Sequence, residues 1–159
     1  MTRFALLALV VVAACSSSPA NVAGDYSVAL TNRANGCNFQ NWTVDATTQG
    51  VSVTITQQDA DATATVNGVA GGYLDVVLGG HAFAGTVDGD DVDLTLFGTR
   101  SGTMGNCTYT FNAIMHGTLA GDALSGTIDY AAKTNGNPDC APIEGCATVQ
   151  EFAGVRPPT

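Results

Sequence analysis

Apolar and polar residues alternate along most of the chain after residue 22. Between Asp91 and Leu96 every second side chain is aliphatic and the others are aspartate or threonine. An extended strand with this pattern turns one face to a core and the other to water. The same alternation predicts strands at Asp25–Leu30, Phe39–Val44, Val51–Thr56, Ala62–Val66, Leu74–Leu78, Phe83–Val87, Thr108–Met115, Leu124–Tyr130 and Ala147–Phe152.

Turn residues separate these predicted strands at short intervals. Asp88-Gly89-Asp90 lies between two of them and consists of residue types that tolerate a positive φ, so it predicts a tight hairpin. The unit Gly85–Val92 is repeated in sequence at Gly117–Leu124, and a third copy begins at Gly126. The chain is therefore expected to form consecutive hairpins.

This organisation predicts an all-β fold. No stretch of about ten or more residues after residue 15 has apolar residues at helical spacing, so little or no helix is expected. Consecutive hairpins favour an antiparallel up-and-down β-barrel of about 8 to 10 strands, because closure removes exposed strand edges. A β-sandwich is the alternative. The immunoglobulin type fits poorly, since Trp42 follows Cys37 too closely to lie on the next strand.

The amino terminus carries a different pattern. Residues 4–14 form an apolar run that is too short to span a bilayer but suits the core of a signal peptide. Val12-Ala13-Ala14-Cys15 resembles the bacterial lipobox, which implies cleavage before Cys15 and acylation of that cysteine. Ser16, where inner-membrane lipoproteins tend to carry aspartate, favours the outer membrane, facing the periplasm or the cell surface. An ordinary secretory signal is the alternative.

The domain prediction follows from this leader. Residues 1–14 are expected to be the signal peptide, residues 15–21 the lipidated tether, and residues 22–159 a single β-barrel domain. Loss of Arg3 with the leader changes the formal charge from −9 to −10. A charge of this sign opposes binding to nucleic acid and is typical of a solvated acidic surface.

Four cysteines follow Cys15, namely Cys37, Cys107, Cys140 and Cys146. An even number in an exported protein predicts two disulfides, for which three pairings are possible. We expect Cys140 to pair with Cys146, because they share a loop containing proline and glycine, and Cys37 to pair with Cys107. Since no C-x-x-C spacing is present, a zinc site or a thioredoxin-like pair is not predicted.

A second resemblance concerns the ends of the predicted barrel. Gly24-Asp25-Tyr26 opens the first strand in the way that lipocalins open theirs with Gly-x-Trp, and Arg156 follows the last strand. The resemblance implies a calycin-like barrel in which the arginine packs over the aromatic ring and the open end holds a small apolar ligand. Tyr26 in place of tryptophan is a departure from the family pattern.

Signatures of catalysis were not found in the chain. It has no Gly-x-Ser-x-Gly elbow, no His-Glu-x-x-His helix and no phosphate-binding Gly-x-x-x-x-Gly-Lys loop. His81 and His116 are predicted to be separate strand-end or surface residues. The acidic stretch 88–93 departs from calcium-loop spacing, so a solvated surface is expected there. The chain is thus predicted to be non-enzymatic, with no catalytic, cofactor or metal site.

Two functions are consistent with the sequence. The first is a membrane-anchored barrel that binds a small apolar ligand or an envelope partner. The second is a structural or interaction lipoprotein whose barrel is filled by its own side chains. Gly126 bears on this choice, because a glycine on the apolar face leaves open volume or permits sharp curvature. The sequence leaves the oligomeric state open.

Overall fold

The structure is a computed structural model that describes residues 18–157. Within that range the chain forms nine β-strands, one α-helix and a single 3-10 turn at Pro138–Cys140. The strands are β1 Gly24–Asn35, β2 Thr47–Gln58, β3 Asp61–Val66, β4 Ala82–Asp88, β5 Asp91–Leu96, β6 Gly102–Met104, β7 Cys107–Ala120, β8 Ala123–Thr134 and β9 Ala147–Val155, and helix α1 is Gly68–Val77.

Eight antiparallel strands close into an up-and-down barrel, which confirms the predicted fold class. Strands β1 to β5 pair in chain order, β9 pairs with β1, and β8 lies between β9 and β7. The barrel closes where β5 pairs with β7, from Asp91 opposite Thr118 to Leu96 opposite Ala113. Strand β6 is outside the barrel and pairs with the first residues of β7.

Alternation along each strand gives one continuous core inside the barrel. On β5, Val92, Leu94 and Leu96 are buried while Asp91 and Asp93 are exposed. This is the pattern that the sequence predicts. The hydrophobic effect therefore sets the register, because a shift by one residue would expose the whole apolar set to water.

The two ends of the barrel differ. At one end, which we call the turn end, two-residue turns at 59–60, 89–90 and 121–122 join neighbouring strands. Gly89 and Gly121 take φ values of 58° and 64°, as tight hairpins require. At the opposite end, the loop end, longer segments at residues 36–46, 67–81, 97–106 and 135–146 connect the barrel strands, and the segment 97–106 includes β6.

Two predicted strands are wrong, and both lie at the loop end. Leu74–Leu78 belongs mainly to helix α1. Since Thr65 on β3 pairs directly with Ala82 on β4, residues 67–81 have no free strand edge to pair with. Phe39–Val44 is part of the loop 36–46, where Asn38 and Asn41 have positive φ values incompatible with a strand.

Candidate functional site

The barrel interior is the first candidate site, because eight-stranded barrels can hold one small ligand there. Side chains from all around the barrel point into this space. Tyr26, Ile55, Leu94 and Ile128 are buried in the core, and the partly buried Val53 and Phe111 pack against it. Leu94 and Val92 are essentially inaccessible to solvent. Barrels of eight strands have an interior that either their own side chains fill or one small ligand occupies, so the buried side chains decide between the two.

Two open grooves lie on the outer surface of the barrel. One, of about 340 Å³, crosses strands β1, β9 and β8, and another, of about 450 Å³, lies beside the end of β9. Both are open to solvent. The first is lined mostly by small or polar side chains, Ala29, Thr31, Ser125, Gly126, Glu151, Phe152 and Ala153. Neither resembles the mouth of an internal ligand cavity.

Gly126 allows close approach of two strands. A Cβ at this position would lie 1.9 Å from the carbonyl oxygen of His116 on β7. Gly85, in the equivalent position of the repeated unit, would place a Cβ 2.1 Å from the carbonyl oxygen of Asp93. Of the two meanings that the sequence left open for Gly126, the structure supports curvature and close packing.

The segment before β1 covers the turn end of the barrel. Ala20 donates its N–H to the carbonyl of Gly89, and the Gln57 side chain bonds to both Val22 N–H and Ala20 carbonyl at 2.8 and 3.0 Å. Val22 is fully buried, and its carbonyl accepts the Tyr26 hydroxyl at 2.9 Å. Ala20, although within the predicted tether, is thus already bonded to the barrel.

Arg156 packs over Tyr26 as the lipocalin resemblance implies. Its guanidinium carbon is 6.0 Å from the ring centroid, within range of a cation–π interaction. The same guanidinium donates to the carbonyls of Asn21 and Ala23, both at 2.8 Å, and to the Asp122 carboxylate at 3.0 Å. Burial raises the pKa of Tyr26, while the Arg156 charge opposes that shift. Arg156 therefore joins β9, the amino-terminal segment and the β7–β8 turn.

Both disulfides lie at the loop end, and the predicted pairings are wrong. Cys37 bonds to Cys146, and Cys107 bonds to Cys140. Proximity in sequence misled the prediction, because Asn35 on β1 pairs with Thr148 on β9 and brings the two flanking loops together. The bridges connect the loops 36–46 and 135–146 to each other and to the start of β7.

An aromatic cluster packs beneath these bridges. Phe39 contacts Phe111 edge to face at a centroid distance of 4.9 Å, and Trp42 lies 6.2 Å from Tyr130. The indole N–H of Trp42 donates to the Arg33 carbonyl, which holds the loop 36–46 against β1. Burial raises the pKa of Tyr130 well above its usual range. This cluster closes part of the loop end, so it is a structural element of the barrel.

Helix α1 covers another part of the loop end and leaves an apolar face in solvent. Ala70, Gly71 and Leu74 pack inward. The opposite side exposes Val69, Tyr73 and Val76 at 93%, 64% and 69% of their surface, together with Val77 at 41%. Sequence reasoning missed this face, although positions 69, 73, 76 and 77 have helical spacing, because three glycines obscure the pattern.

The predicted surface roles of the histidines fit the structure. His81 bonds to Asp75 at 2.7 Å beside α1, and His116 bonds to Asp93 at 2.5 Å on the outer face of the barrel. Asp91 accepts a hydrogen bond from Thr118 on the same outer face. From residue 18 to residue 157, no group of three or more histidine, cysteine or acidic side chains is arranged to hold a metal ion.

The predicted lipid-attachment site, Cys15, lies outside the described residues. In the range 18–157 no helix has the length and apolarity needed to cross a bilayer. Comparisons with models of protein families, with curated proteins and with solved structures found no match for this chain.

Proposed function

We propose that this protein is a non-enzymatic lipoprotein of the outer membrane, anchored through Cys15, whose filled β-barrel serves as an interaction module of the cell envelope. The observation that carries the choice of module is the packed interior, where aromatic and aliphatic side chains occupy the space that a ligand would need. A barrel of this kind presents a rigid outer surface to a partner.

The position of the amino terminus supports the anchoring part of the proposal. The described chain starts with Ser18 near the turn end, where Ala20 is bonded to Gly89. Only Ser16 and Ser17 separate Cys15 from Ser18, a span of roughly 10 Å when extended. An acylated Cys15 would hold the turn end close to the membrane and direct the loop end away from it.

A small apolar ligand is the second candidate function. The contact between Arg156 and Tyr26 supports it, because this contact is the feature implied by the resemblance to lipocalins. A ligand would have to displace core side chains, and displacement of well-packed aromatic groups is costly. We therefore favour the interaction module.

The anchor is tested by replacing Cys15 with alanine in the full-length chain. We expect the parent protein to partition into the detergent phase of an envelope extract and the Cys15→Ala protein to lose this partition, because one cysteine carries all acyl chains. Partition is measured by immunoblotting both phases. Ser16→Thr is the matched control and should leave partition unchanged. Equal partition of both proteins would contradict the anchor.

Native mass spectrometry separates the two candidate functions. Protein purified from its own envelope is expected to have the mass of one or two processed, acylated chains with no added small molecule, since the barrel is filled. Environment-sensitive apolar dyes are expected to show no saturable binding at one site. The ligand-binding function would instead be established by a small molecule that is retained by the folded protein, is released on unfolding and competes with an apolar dye for one site.

A further inference from the structure

The apolar face of α1 lies in solvent and has no role in the fold of the barrel. We infer that this face joins two copies of the chain in a symmetric dimer. The inference deepens the proposed interaction role by naming the partner, and it does not depend on acylation of Cys15. We call the surface formed by Val69, Tyr73, Val76, Val77 and Phe97 the α1 patch.

Phe97 belongs to this patch because its loop is fastened to α1. The N–H groups of Thr99 and Arg100 both donate to the carbonyl of Leu78, at 2.7 and 3.1 Å. The Thr99 hydroxyl donates to the carbonyl of Gly79 at 3.1 Å. Phe97 itself is 73% exposed. These bonds hold the residues after β5 beside the end of α1, and we assign the exposed Phe97 to the patch on that basis.

Helix α1 has little stability of its own. It is a ten-residue helix that contains Gly68, Gly71 and Gly72, and glycine costs about 1 kcal/mol relative to alanine in a helix interior. Asn67, at the N-cap position, makes no capping hydrogen bond and instead donates to Ser52 and Thr54. A short, uncapped helix relies on packing. Its inner face is packed, and coverage of its outer face would complete that stabilisation.

The exposed area is sufficient for a dimer. By typical side-chain areas, the five residues of the α1 patch leave on the order of 500–600 Å² of apolar surface in solvent, which is large for a monomer. A two-fold contact buries the same patch on both copies, about 1,100 Å² in total, near the lower end of specific interfaces. Such an area predicts reversible association.

The charge distribution favours a second copy as the partner. Seven aspartates lie at the turn end with Arg156 as the cation among them: Asp25, Asp59, Asp61, Asp88, Asp90, Asp91 and Asp122. The loop end is close to neutral, because its three cations, Arg33, Arg100 and Lys133, are balanced by four acids, Asp45, Asp75, Asp139 and Glu144. Contact through the α1 patch therefore keeps the two acidic ends apart and leaves both amino termini free for anchoring.

The border of the patch is also self-complementary. Arg100 lies beside Asp75, because the Arg100 Nε–H donates to the backbone carbonyl oxygen of Asp75 at 3.5 Å. The Asp75 carboxylate is about half exposed. A two-fold axis through the patch can bring Arg100 of one copy toward Asp75 of the other. A bilayer fits less well, because membrane-surface helices are rich in lysine and arginine and α1 contains neither.

The test uses the full chain in its own envelope. A photoreactive p-benzoylphenylalanine replaces Tyr73, with the same replacement at Val155, an exposed apolar residue of the turn end, as control. We expect position 73 to yield a dimer whose cross-linked peptides both come from this chain and contain α1 or Phe97, and position 155 to yield none. Cross-links from position 73 to lipid, to another protein or to nothing would overturn the inference.

A second measurement guards against misfolded variants. In purified protein, Val69→Asn with Val76→Asn is expected to weaken self-association in sedimentation velocity by about tenfold or more, as loss of central interface residues does. At a concentration low enough for the parent to be monomeric, the two proteins should unfold at the same temperature, since both side chains are exposed in the monomer. Val155→Asn is the matched control and should self-associate like the parent. Sedimentation as a monomer by the parent at all concentrations, or as a dimer by the double variant, would overturn the inference.

Discussion

Replacement of Cys37 and Cys146 together by alanine is expected to lower the free energy of unfolding by about 5 kcal/mol. The bridge closes a loop with a sequence separation of 109 residues, and the chain-entropy account gives a loss of this size for a loop of about 100 residues. That is a large part of the stability of an ordinary domain. Equilibrium denaturation in guanidinium, followed by fluorescence, measures it.

Trp42 provides the fluorescence signal for this experiment, since it is the single tryptophan of the chain. It lies in the loop 36–46 that the Cys37–Cys146 bridge holds, so its emission should shift to the red even below the unfolding transition.

The other disulfide is the matched comparison. The Cys107→Ala and Cys140→Ala protein opens a loop with a separation of 33 residues, for which the same relation gives about 4 kcal/mol.

Peptide mapping of the oxidised parent should recover Cys37 with Cys146. A peptide that joins Cys140 to Cys146 would contradict the pairing, and equal stability of the parent and the first variant would contradict its role.

Gly126→Ala is expected to destabilise the barrel by about 3 kcal/mol, at the upper end of overpacking costs. The added methyl would lie 1.9 Å from the His116 carbonyl oxygen, and backbone atoms cannot move aside as a flexible side chain can. Strands β7 and β8 would have to separate along their shared ladder. Urea denaturation with an unchanged m-value would assign the loss to the folded state.

Gly80→Ala is the control for this prediction. A Cβ at Gly80 meets no atom within 4 Å, and its φ is outside the left-handed region. Alanine there should change stability by less than about 0.5 kcal/mol. If Gly126→Ala were as neutral as Gly80→Ala, the close approach of β7 and β8 would be disproved, and open volume beside Gly126 would again be a possible ligand site.

Local residue patterns predicted the elements whose partners are neighbours in the chain. The alternation in β5 and the turn at Gly89 identified the β4–β5 hairpin, because the side-chain period of two and the positive φ of a tight turn are local properties. Arg156 and Tyr26 were recognised as a pair through a family resemblance, and the structure brings them together. The hairpin followed from local residues alone. The pairing of two residues so far apart in the chain came from the resemblance.

Other features depended on which segments the closed barrel brings together. The Cys37–Cys146 bridge exists because β1 and β9 close the barrel side by side, and sequence distance carries no information about that. Helix α1 forms because β3 and β4 already pair with each other, which leaves residues 67–81 to satisfy their backbone groups internally. The sequence by itself thus determined the alternation, the hairpins and the acidic surface. Only the tertiary structure decided the disulfide pairs, the filled interior and the exposed α1 patch, since each arises from contacts between residues far apart in the chain.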